Sequence, residues 1–268
     1  MPRARSISRT AGSGPTVPAV ARAARLLYAL AAAREPLPLA ALVKSLQLPK
    51  STVHGLCGAL VDAGLVARLD NGAFHLGTRV MDLAHAYMAR TDFAAEFQAI
   101  VGATAPLPEE SLVLSVLDGA DIVYVACRNG TRPFGFNFRI GMRLPANCAA
   151  SGKAMLATLS PGRVVELARA RSFYALTPKS VTRAKPLLEQ LAQVRLLGYA
   201  IDDEETRQGM VCIGAPVFGP MSSEAVAAVA VSCPKSSLKA NRKADAVRTV
   251  IHLAAEISRR MGTRGPPK

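Results

Sequence analysis

The sequence predicts an α+β protein with two domains, and the order of its hydrophobic patterns is the main evidence for this fold class. Apolar residues recur at helical spacing through the first third of the chain, and two short extended runs around a turn follow them. From residue 109 onward, strand-like runs alternate with amphipathic helical segments. The chain has 268 residues, half of them hydrophobic, which suffices for one to two domains with a sizeable core.

The first domain is predicted over residues 17–77, after a basic tail at 1–16 whose Arg, Ser, Gly and Pro content predicts disorder. Helices are expected at 17–33, 39–46 and 50–63, because each segment has apolar residues at helical spacing. In the first of these helices, the predicted core-facing residues are Val20, Ala24, Leu27, Leu30 and Ala31.

The third helix has the clearest amphipathic pattern, and a predicted hairpin follows it. Its apolar residues keep the spacing i, i+3, i+4, i+7 and i+8, as Val53, Leu56, Cys57, Leu60 and Val61. Gly64 is expected to end the helix. Two extended runs at 65–69 and 73–76 then flank the dipeptide Asn71-Gly72, which is typical of a β-hairpin turn.

Three helices followed by a hairpin predict a winged helix–turn–helix, a fold that places its third helix in the major groove of DNA. Hydroxyl and backbone N–H groups at the start of that helix suit phosphate contacts. The candidate contacts are Lys50, Ser51, Thr52 and His54 on the helix, with Arg68 and His75 on the hairpin. The alternatives are an ordinary three-helix subdomain and a winged helix used for protein contacts.

The charge of the chain favours the DNA-binding interpretation. Lys and Arg number 33 against 19 Asp and Glu, so the net charge is +14. Residues 1–90 carry half of this excess in one third of the chain, with 11 basic against 4 acidic residues. A strongly basic chain favours an anionic partner, with nucleic acid the first candidate and a membrane surface the second.

Other classes of protein are excluded by composition. No apolar run reaches the roughly 18 residues of a membrane helix, and no secretory signal follows the first basic residues, so we predict a cytoplasmic protein. The cysteines are Cys57, Cys127, Cys148, Cys212 and Cys233. Their odd number and wide spacing predict neither a disulfide framework nor a metal site.

The second domain is predicted over residues 109–262, after a linker helix at 78–108 and before a short tail at 263–268. Strands are expected at 111–117, 122–127, 199–201, 211–218 and 225–232, and helices at 149–159, from 161, at 186–197 and at 238–261. The alternating residues Phe134, Phe136 and Phe138 predict a further strand, with the three rings on one face.

A ligand pocket is the favoured interpretation of this domain. The three Phe, with Met142 and Leu144, could form an apolar wall, although a plain core explains the Phe residues about as well. The small residues Ala149, Ala150, Ser151 and Gly152 open a helix, where a ligand carboxylate could approach the N–H groups. These features predict a small organic acid, and an aromatic one fits the Phe-rich wall. The acidic turn 202–205 is expected to lie mostly in solvent.

An enzymatic function is not favoured by the sequence, and no catalytic residue or cofactor is predicted. A phosphate-binding loop would need Gly at Asn147 and Ser or Thr at Ala154. A Cys nucleophile would need a base such as His. Three of the four His residues belong to the DNA-binding third or its linker, and His252 belongs to the last helix. A small-molecule-binding enzyme or sensor is the alternative function.

Three segments of the sequence match one known family in the right order. They are LQLPKSTVH at 46–54 with GLV at 64–66, GMRLP at 141–145 with ASGKAMLA at 150–157, and GYAIDDEE at 198–205 with GMVCIGAPV at 209–217. The chain resembles the IclR-type bacterial transcriptional regulators over about residues 17–262. This family commonly has Arg after the His of the third helix, where this chain has Gly55, and we include this position in the predicted DNA interface.

The resemblance implies both the architecture and the function of the protein. The expected C-terminal domain is a GAF-like effector-binding domain with a mostly antiparallel sheet. The family's ligand loops add Asp202, Met210, Cys212 and Ser232 to the predicted effector site. The resemblance also implies a homodimer or a dimer of dimers, joined through the DNA-binding domains, which represses or activates a nearby catabolic operon by binding a double-stranded DNA operator.

Overall fold

A computed structural model describes residues 17–89, 92–133, 135–170, 173–220 and 222–263, which divide into two compact units on either side of position 90. The helices are α1 (Pro18–Ala32), α2 (Leu39–Leu46), α3 (Lys50–Asp62), α4 (Arg79–Ala89), α5 (Asp92–Thr104), α6 (Ala150–Leu156), α7 (Pro161–Ala170), α8 (Ala184–Leu197) and α9 (Ala240–Arg260). The strands are β1 (Val66–Arg68), β2 (Phe74–Leu76), β3 (Ser111–Asp118), β4 (Asp121–Arg128), β5 (Arg143–Pro145), β6 (Ala200–Asp203), β7 (Met210–Phe218) and β8 (Ala225–Pro234).

The first unit is a three-helix core with a hairpin, as the sequence predicts. Val53, Cys57 and Leu60 of α3 are buried against α1 and α2, which confirms the predicted apolar stripe. The predicted face of α1 is partly wrong. Leu30 is buried and Leu27 packs against the core as predicted, but Val20 is 66% exposed and the buried Leu26 was not predicted.

Local backbone chemistry fixes the end of α3 and the turn of the hairpin. Gly64 has a φ of +71°, and its N–H and that of Leu65 donate to the carbonyls of Val61 and Leu60, which closes the helix. In the hairpin, the Asn71 side chain accepts a hydrogen bond of 3.0 Å from the Ala73 N–H.

The second unit is an antiparallel sheet of six strands in the order β5-β4-β3-β8-β7-β6. The helices α6, α7 and α8 contribute to the hydrophobic core on one face, and α5 and α9 pack on the other. Alternation along each strand divides the two cores, since Val113 joins the first while Leu112 and Leu114 join the second. The predicted α+β class and antiparallel sheet are confirmed.

Helix α6 lies unusually close to the sheet, and glycines at the contact make this possible. A Cβ atom on Gly214 of β7 would lie 2.7 Å from the backbone of Ala150 and Ser151. One on Gly152 would lie 2.4 Å from the Ala146 carbonyl oxygen. Small side chains on β8, such as Ala228 and Ala230, are also in this core.

Two features of the second unit differ from the predictions. The strand predicted through the alternating Phe residues is wrong, because residues 135–138 have no regular structure and Phe138 alone of the two described rings is fully buried. Phe134 lies outside the described residues. The edge strand β5 was not predicted, because three residues are too few to show a period. Among the described helices, none is long and apolar enough to cross a membrane.

Candidate functional site

The outer face of α3 presents the predicted DNA contacts to solvent. Lys50, Ser51, His54 and Gly55 are exposed, and Thr52 is half-buried. No side chain among the described residues caps the N-terminus of this helix, so its first N–H groups remain available to an anion. The face therefore combines a cation, a hydroxyl and free N–H groups at one helix end.

The hairpin residues predicted to contact DNA lie next to each other on β1 and β2. The exposed Arg68 side chain places its guanidinium 5.8 Å from the centre of the Phe74 ring. The His75 ring is half-buried, and its Nδ1 lies 2.8 Å from the Leu76 carbonyl oxygen. This contact orients the ring and leaves Nε2 as its second polar atom.

A narrow cavity in the second unit lies between the start of α6 and the sheet. Its lining residues are Val113, Tyr124, Ala149, Ala150, Ser151, Asp202, Thr206, Cys212, Ala230 and Ser232. The cavity volume is about 10 Å³, which is about what a single water molecule requires. The walls are mostly small or apolar, and the polar side chains come from β4, β6, β7, β8, α6 and the segment that follows β6.

The structure brings together one part of the predicted effector site and separates the rest. Ala149, Ala150, Ser151, Asp202, Cys212 and Ser232 all border the cavity. The other described candidates do not border it. Gly152 packs on the Ala146 backbone, and Met210 is buried beside Pro234. Leu144 of β5 pairs with Ile122 of β4. Phe136 lies beneath the Arg207 guanidinium. Met142 is 38% exposed.

Four residues that line the cavity were not among the predicted effector residues: Val113, Tyr124, Thr206 and Ala230. Tyr124 lies on β4, and its ring meets Phe138 edge to face at 5.5 Å. Burial raises the pKa of its hydroxyl far above the usual range. Val113 and Ala230 are partners in the pairing of β3 with β8, so the alternation of these two strands could have indicated both.

Asp202 forms the most polar part of the cavity. It accepts hydrogen bonds from the N–H groups of Glu205 at 2.7 Å and Thr206 at 3.2 Å, and from the Thr206 hydroxyl. Burial raises the pKa of Asp202, and these three donors oppose that rise. The carboxylate is therefore held in a fixed orientation at the edge of the cavity.

Cys212 and Ser232 form a second polar pair in the cavity wall. Cys212 Sγ lies 3.2 Å from Ser232 Oγ, since the two residues are partners in the pairing of β7 with β8. Burial, and then the neighbouring Asp202, raise the pKa of the Cys212 thiol well above its ordinary value. The thiol thus stays protonated at neutral pH and is a poor nucleophile.

Comparison with known proteins decides the family. Residues 85–259 match the model of the bacterial transcriptional regulator IclR C-terminal domain, and residues 19–70 match the IclR helix-turn-helix domain. The chain belongs to the IclR family. It is therefore a transcriptional regulator with a DNA-binding helix–turn–helix and an effector domain, as the sequence resemblance predicts.

Individual IclR-family relatives cover nearly the whole chain. The transcriptional repressor IclR of Escherichia coli is 28% identical over 255 residues, which are 93% of this chain and 92% of that protein. The crystal structure of the Agobacterium tumefaciens repressor BlcR is 34% identical, covers 94% of this chain and 100% of its own, and has a TM-score of 0.60. An IclR homologue from Microbacterium hydrocarbonoxydans, crystallised with 4-hydroxybenzoate, is 20% identical, covers 91% of this chain and 99% of its own, and has a TM-score of 0.75.

The prediction that the acidic turn 202–205 of this IclR-family chain lies mostly in solvent is wrong. Asp202 and Glu205 are buried, Glu204 is half-buried between Lys179 and Lys235, and only Asp203 is exposed. The turn is buried because its polar atoms have partners in the fold, such as the Ser180 hydroxyl, which donates to the Glu205 carbonyl oxygen at 2.6 Å. Across the described part of the chain, no three His, Cys, Asp or Glu side chains form a group that could hold a metal ion.

Proposed function

We propose that this chain is a ligand-responsive regulator, whose operator affinity changes when a small organic acid binds in the cavity beneath α6. The observation that supports this proposal best is the composition of that cavity. Apolar walls from Val113, Ala149 and Ala230 end at the polar side chains of Asp202 and Ser232. Such a mixture of apolar walls and a few oriented polar groups is typical of small-molecule sites.

The chemistry of the cavity supports a ligand with both an anionic and an apolar part. The first-turn N–H groups of Ala150 and Ser151 have no carbonyl partner within the helix and can donate to an acid. The Tyr124 ring provides a flat apolar wall, which suits an aromatic ligand. The 4-hydroxybenzoate bound by the Microbacterium homologue has this combination of an acid group and an aromatic ring.

Entry of a ligand requires a movement of the effector domain, because the cavity has room for about one water molecule. A ligand that binds better to a widened cavity shifts the population toward that arrangement. We propose that the shift reaches the DNA-binding domains through the α4–α5 region, which we regard as the linker at 78–108. A changed spacing of paired DNA-binding domains then alters their fit to two half-sites.

Paired DNA-binding domains require self-association, and we propose a homodimer or a dimer of dimers. Apolar side chains exposed on α1 and α4 support this, with Tyr28 on α1 and Met81 and Leu83 on α4 among them. We further propose that the cavity binds without catalysing a reaction, since the protonated Cys212 thiol and the fixed Asp202 suit recognition. As a DNA-binding regulator, the protein acts in the cytoplasm.

Binding of the purified protein to labelled upstream DNA of its own gene tests this proposal. Tight binding that resists excess competitor DNA and falls steeply with salt is expected, as for a specific site with many phosphate contacts. A panel of aliphatic and aromatic acids, benzoate and 4-hydroxybenzoate among them, should contain compounds that change this affinity without being consumed. Weak binding that is indifferent to sequence would contradict the regulator, and consumption of an acid would favour an enzyme.

A matched pair of variants links the response to the cavity. Asp202→Asn should lower the acid concentration that gives half of the change in operator affinity by about fivefold or more, because it removes a negative charge from the cavity wall and Asn can donate to the acid. Asp203→Asn is the control, since that neighbouring side chain is exposed and does not line the cavity. Equal responses of the two variants would place the effector elsewhere.

Gly55→Arg is expected to raise the operator affinity about fivefold to thirtyfold, equivalent to about 1–2 kcal/mol. A Cβ atom at this exposed position meets no heavy atom within 4 Å, so a long side chain fits and adds a cation to the DNA-facing surface. Loss of a mid-helix glycine also favours α3 by about 1 kcal/mol. Titration of labelled operator DNA at several salt concentrations measures the effect.

The matched control for this variant is Gly58→Arg. Position 58 is exposed on the same helix and equally open, so this variant adds the same charge and the same helix propensity one turn further along. A gain in specific affinity for Gly55→Arg alone would support base or phosphate readout at position 55. The same gain for both variants, on operator and competitor DNA alike, would mean that the added positive charge alone causes the higher affinity.

A further inference from the structure

A buried ammonium group lies behind the polar end of the cavity. Lys153 of α6 is 1% exposed, and its Nζ donates to the Glu205 carboxylate, to the Ile201 carbonyl oxygen at 2.8 Å and to Gln190 Oε1 at 3.3 Å. Because an ammonium has three donors, its hydrogen-bonding capacity is used completely. The side chain thus joins α6 to β6 and to α8.

The partner of Lys153 is linked directly to the cavity. The Glu205 backbone N–H donates to Asp202 Oδ1, and Asp202 lines the cavity while Lys153 and Glu205 do not. The local cluster thus contains one buried cation and two buried carboxylates.

The charges of this cluster act on one another through a poorly solvated interior. Burial raises the pKa of both Asp202 and Glu205, and the Lys153 ammonium opposes both rises. Interactions between charges at such positions are several times stronger than in water. With all three groups ionised, the cluster has a net charge of −1, and loss of either partner of the ion pair changes this sum.

We propose that the buried Lys153–Glu205 ion pair sets the electrostatic potential of the cavity and so determines whether anionic or neutral small molecules enter. The proposal rests on the proposed function, in which this cavity is the effector site. Lys153 and Glu205 are positioning residues, because they act through Asp202. Removal of the ammonium leaves two carboxylates that repel an anion, and neutralisation of Glu205 leaves the ammonium opposite Asp202 alone.

Cys212 provides a test that requires no knowledge of the natural effector. Its thiolate displaces iodide from iodoacetate or from iodoacetamide, which are similar in size but differ by one negative charge. Both alkylation rates are proportional to the fraction of Cys212 present as thiolate, so their ratio does not depend on that fraction. The ratio therefore reports the charge that a small molecule meets in the cavity. Mass spectrometry of the Cys212 peptide measures each rate on the full-length protein.

Across a charge cycle of wild type, two single variants and the double variant, the ratio of iodoacetate rate to iodoacetamide rate is expected to follow the net charge of the cluster. Lys153→Met should lower the ratio about fivefold or more, and Glu205→Gln should raise it by a similar factor. The double variant K153M/E205Q restores the net charge of −1 and should return to within about twofold of the wild-type ratio. A merely structural role would change both rates together and leave the ratio constant.

Controls within the chain separate charge from folding. Lys185→Met and Glu189→Gln remove exposed charges on α8 and should leave the Cys212 ratio unchanged. The ratio at Cys57, in the other unit, should stay constant in every variant. Circular dichroism establishes which variants fold, and if Lys153→Met does not, the Glu205→Gln ratio decides the question by itself.

The possible outcomes distinguish this inference from the proposed function. An unchanged ratio at Cys212 in folded Glu205→Gln would overturn the role of the ion pair and leave the cavity as an effector site. The alkylation is carried out at alkaline pH, because burial keeps the Cys212 thiol protonated at neutral pH. A cavity that admits small molecules also admits hydroxide, so failure of Cys212 to react with either reagent in the wild-type protein would mean that small molecules do not enter, and both ideas would fail. Opposite shifts in the two single variants, cancelled in the double variant, would establish the inference.

Discussion

Lys153→Met is expected to lower the free energy of unfolding of the second unit by about 3–5 kcal/mol. The substitution leaves the buried Glu205 carboxylate without its cation, and it also removes donors from the Ile201 carbonyl and Gln190. A buried carboxylate without a cation destabilises the folded state by more than the intact ion pair stabilises it, because the folded chain cannot replace the hydration that the carboxylate has lost. Urea denaturation followed by circular dichroism measures the change.

The double variant K153M/E205M provides the control for this prediction. Two apolar side chains of similar volume remove both charges, and replacements of this kind are often neutral or stabilising. The double variant should therefore recover most of the stability that Lys153→Met loses. If it were as unstable as the single variant, loss of packing rather than an unpaired carboxylate would be the cause.

The pH dependence of Lys153→Met gives an independent check. Burial already raises the pKa of Glu205, and loss of the ammonium removes a contribution that lowers it. A carboxyl with a raised pKa in the folded state binds more protons there than in the unfolded chain, so stability falls as pH rises. The deficit of Lys153→Met relative to wild type should thus shrink as pH falls from neutral toward the ordinary range of a carboxyl, as Glu205 takes up a proton. A constant deficit over this range would contradict an ionised, unpaired Glu205.

Arg128→Ala is expected to destabilise the second unit by about 3 kcal/mol, with a fall in Tm of about 6–12 °C. The Arg128 Nη2 donates to the carbonyl oxygens of Pro106 at 2.7 Å, Leu107 at 2.9 Å and Glu110 at 3.1 Å. These bonds hold the segment that joins α5 to β3. Ala105 and Leu107 in this segment have φ values of +39° and +48°, which are costly for residues with a side chain.

Two further variants define the cause of the Arg128 effect. Arg248→Ala removes a guanidinium that is 72% exposed on α9 and should change the stability by no more than about 0.5 kcal/mol. Arg128→Lys keeps the charge but lacks the planar donor group, so it should recover only part of the loss. Full recovery with Lys would mean that charge, and not the shared carbonyl contacts, supports the segment.

Secondary structure could be predicted wherever a signal was local and repeated. The bounds of α2 are the predicted ones, and the Asn71-Gly72 turn forms the expected hairpin, because turn chemistry and helical spacing are properties of neighbouring residues. The alternation of Phe136 and Phe138 resembled a strand but involved too few residues. Their segment instead follows long-range contacts, such as Asn129 Oδ1 accepting from the Phe138 N–H.

The candidate effector site was partly predictable for a related reason. Resemblance to family segments indicated Asp202, Cys212 and Ser232, which all border the cavity. Neither resemblance nor spacing indicated Tyr124, because its position depends on the pairing of β3 with β4 and on the packing of Phe138. Met142 and Leu144 are near the site in sequence, but Leu144 lies on the edge strand β5 and Met142 directly precedes it. This strand leads both residues away from the cavity.

The sequence by itself determined the fold class, the winged helix–turn–helix and the family, because helical period, turn residues and family segments are written in consecutive residues. Only the tertiary structure decided that the acidic turn is buried, that Lys153 lies behind the cavity and pairs with Glu205, and that Arg128 holds a distant segment. These partners lie 18 to 52 residues apart in the chain. Whether a charged side chain is solvated or buried depends on which partners the fold brings to it, and no local pattern contains that information.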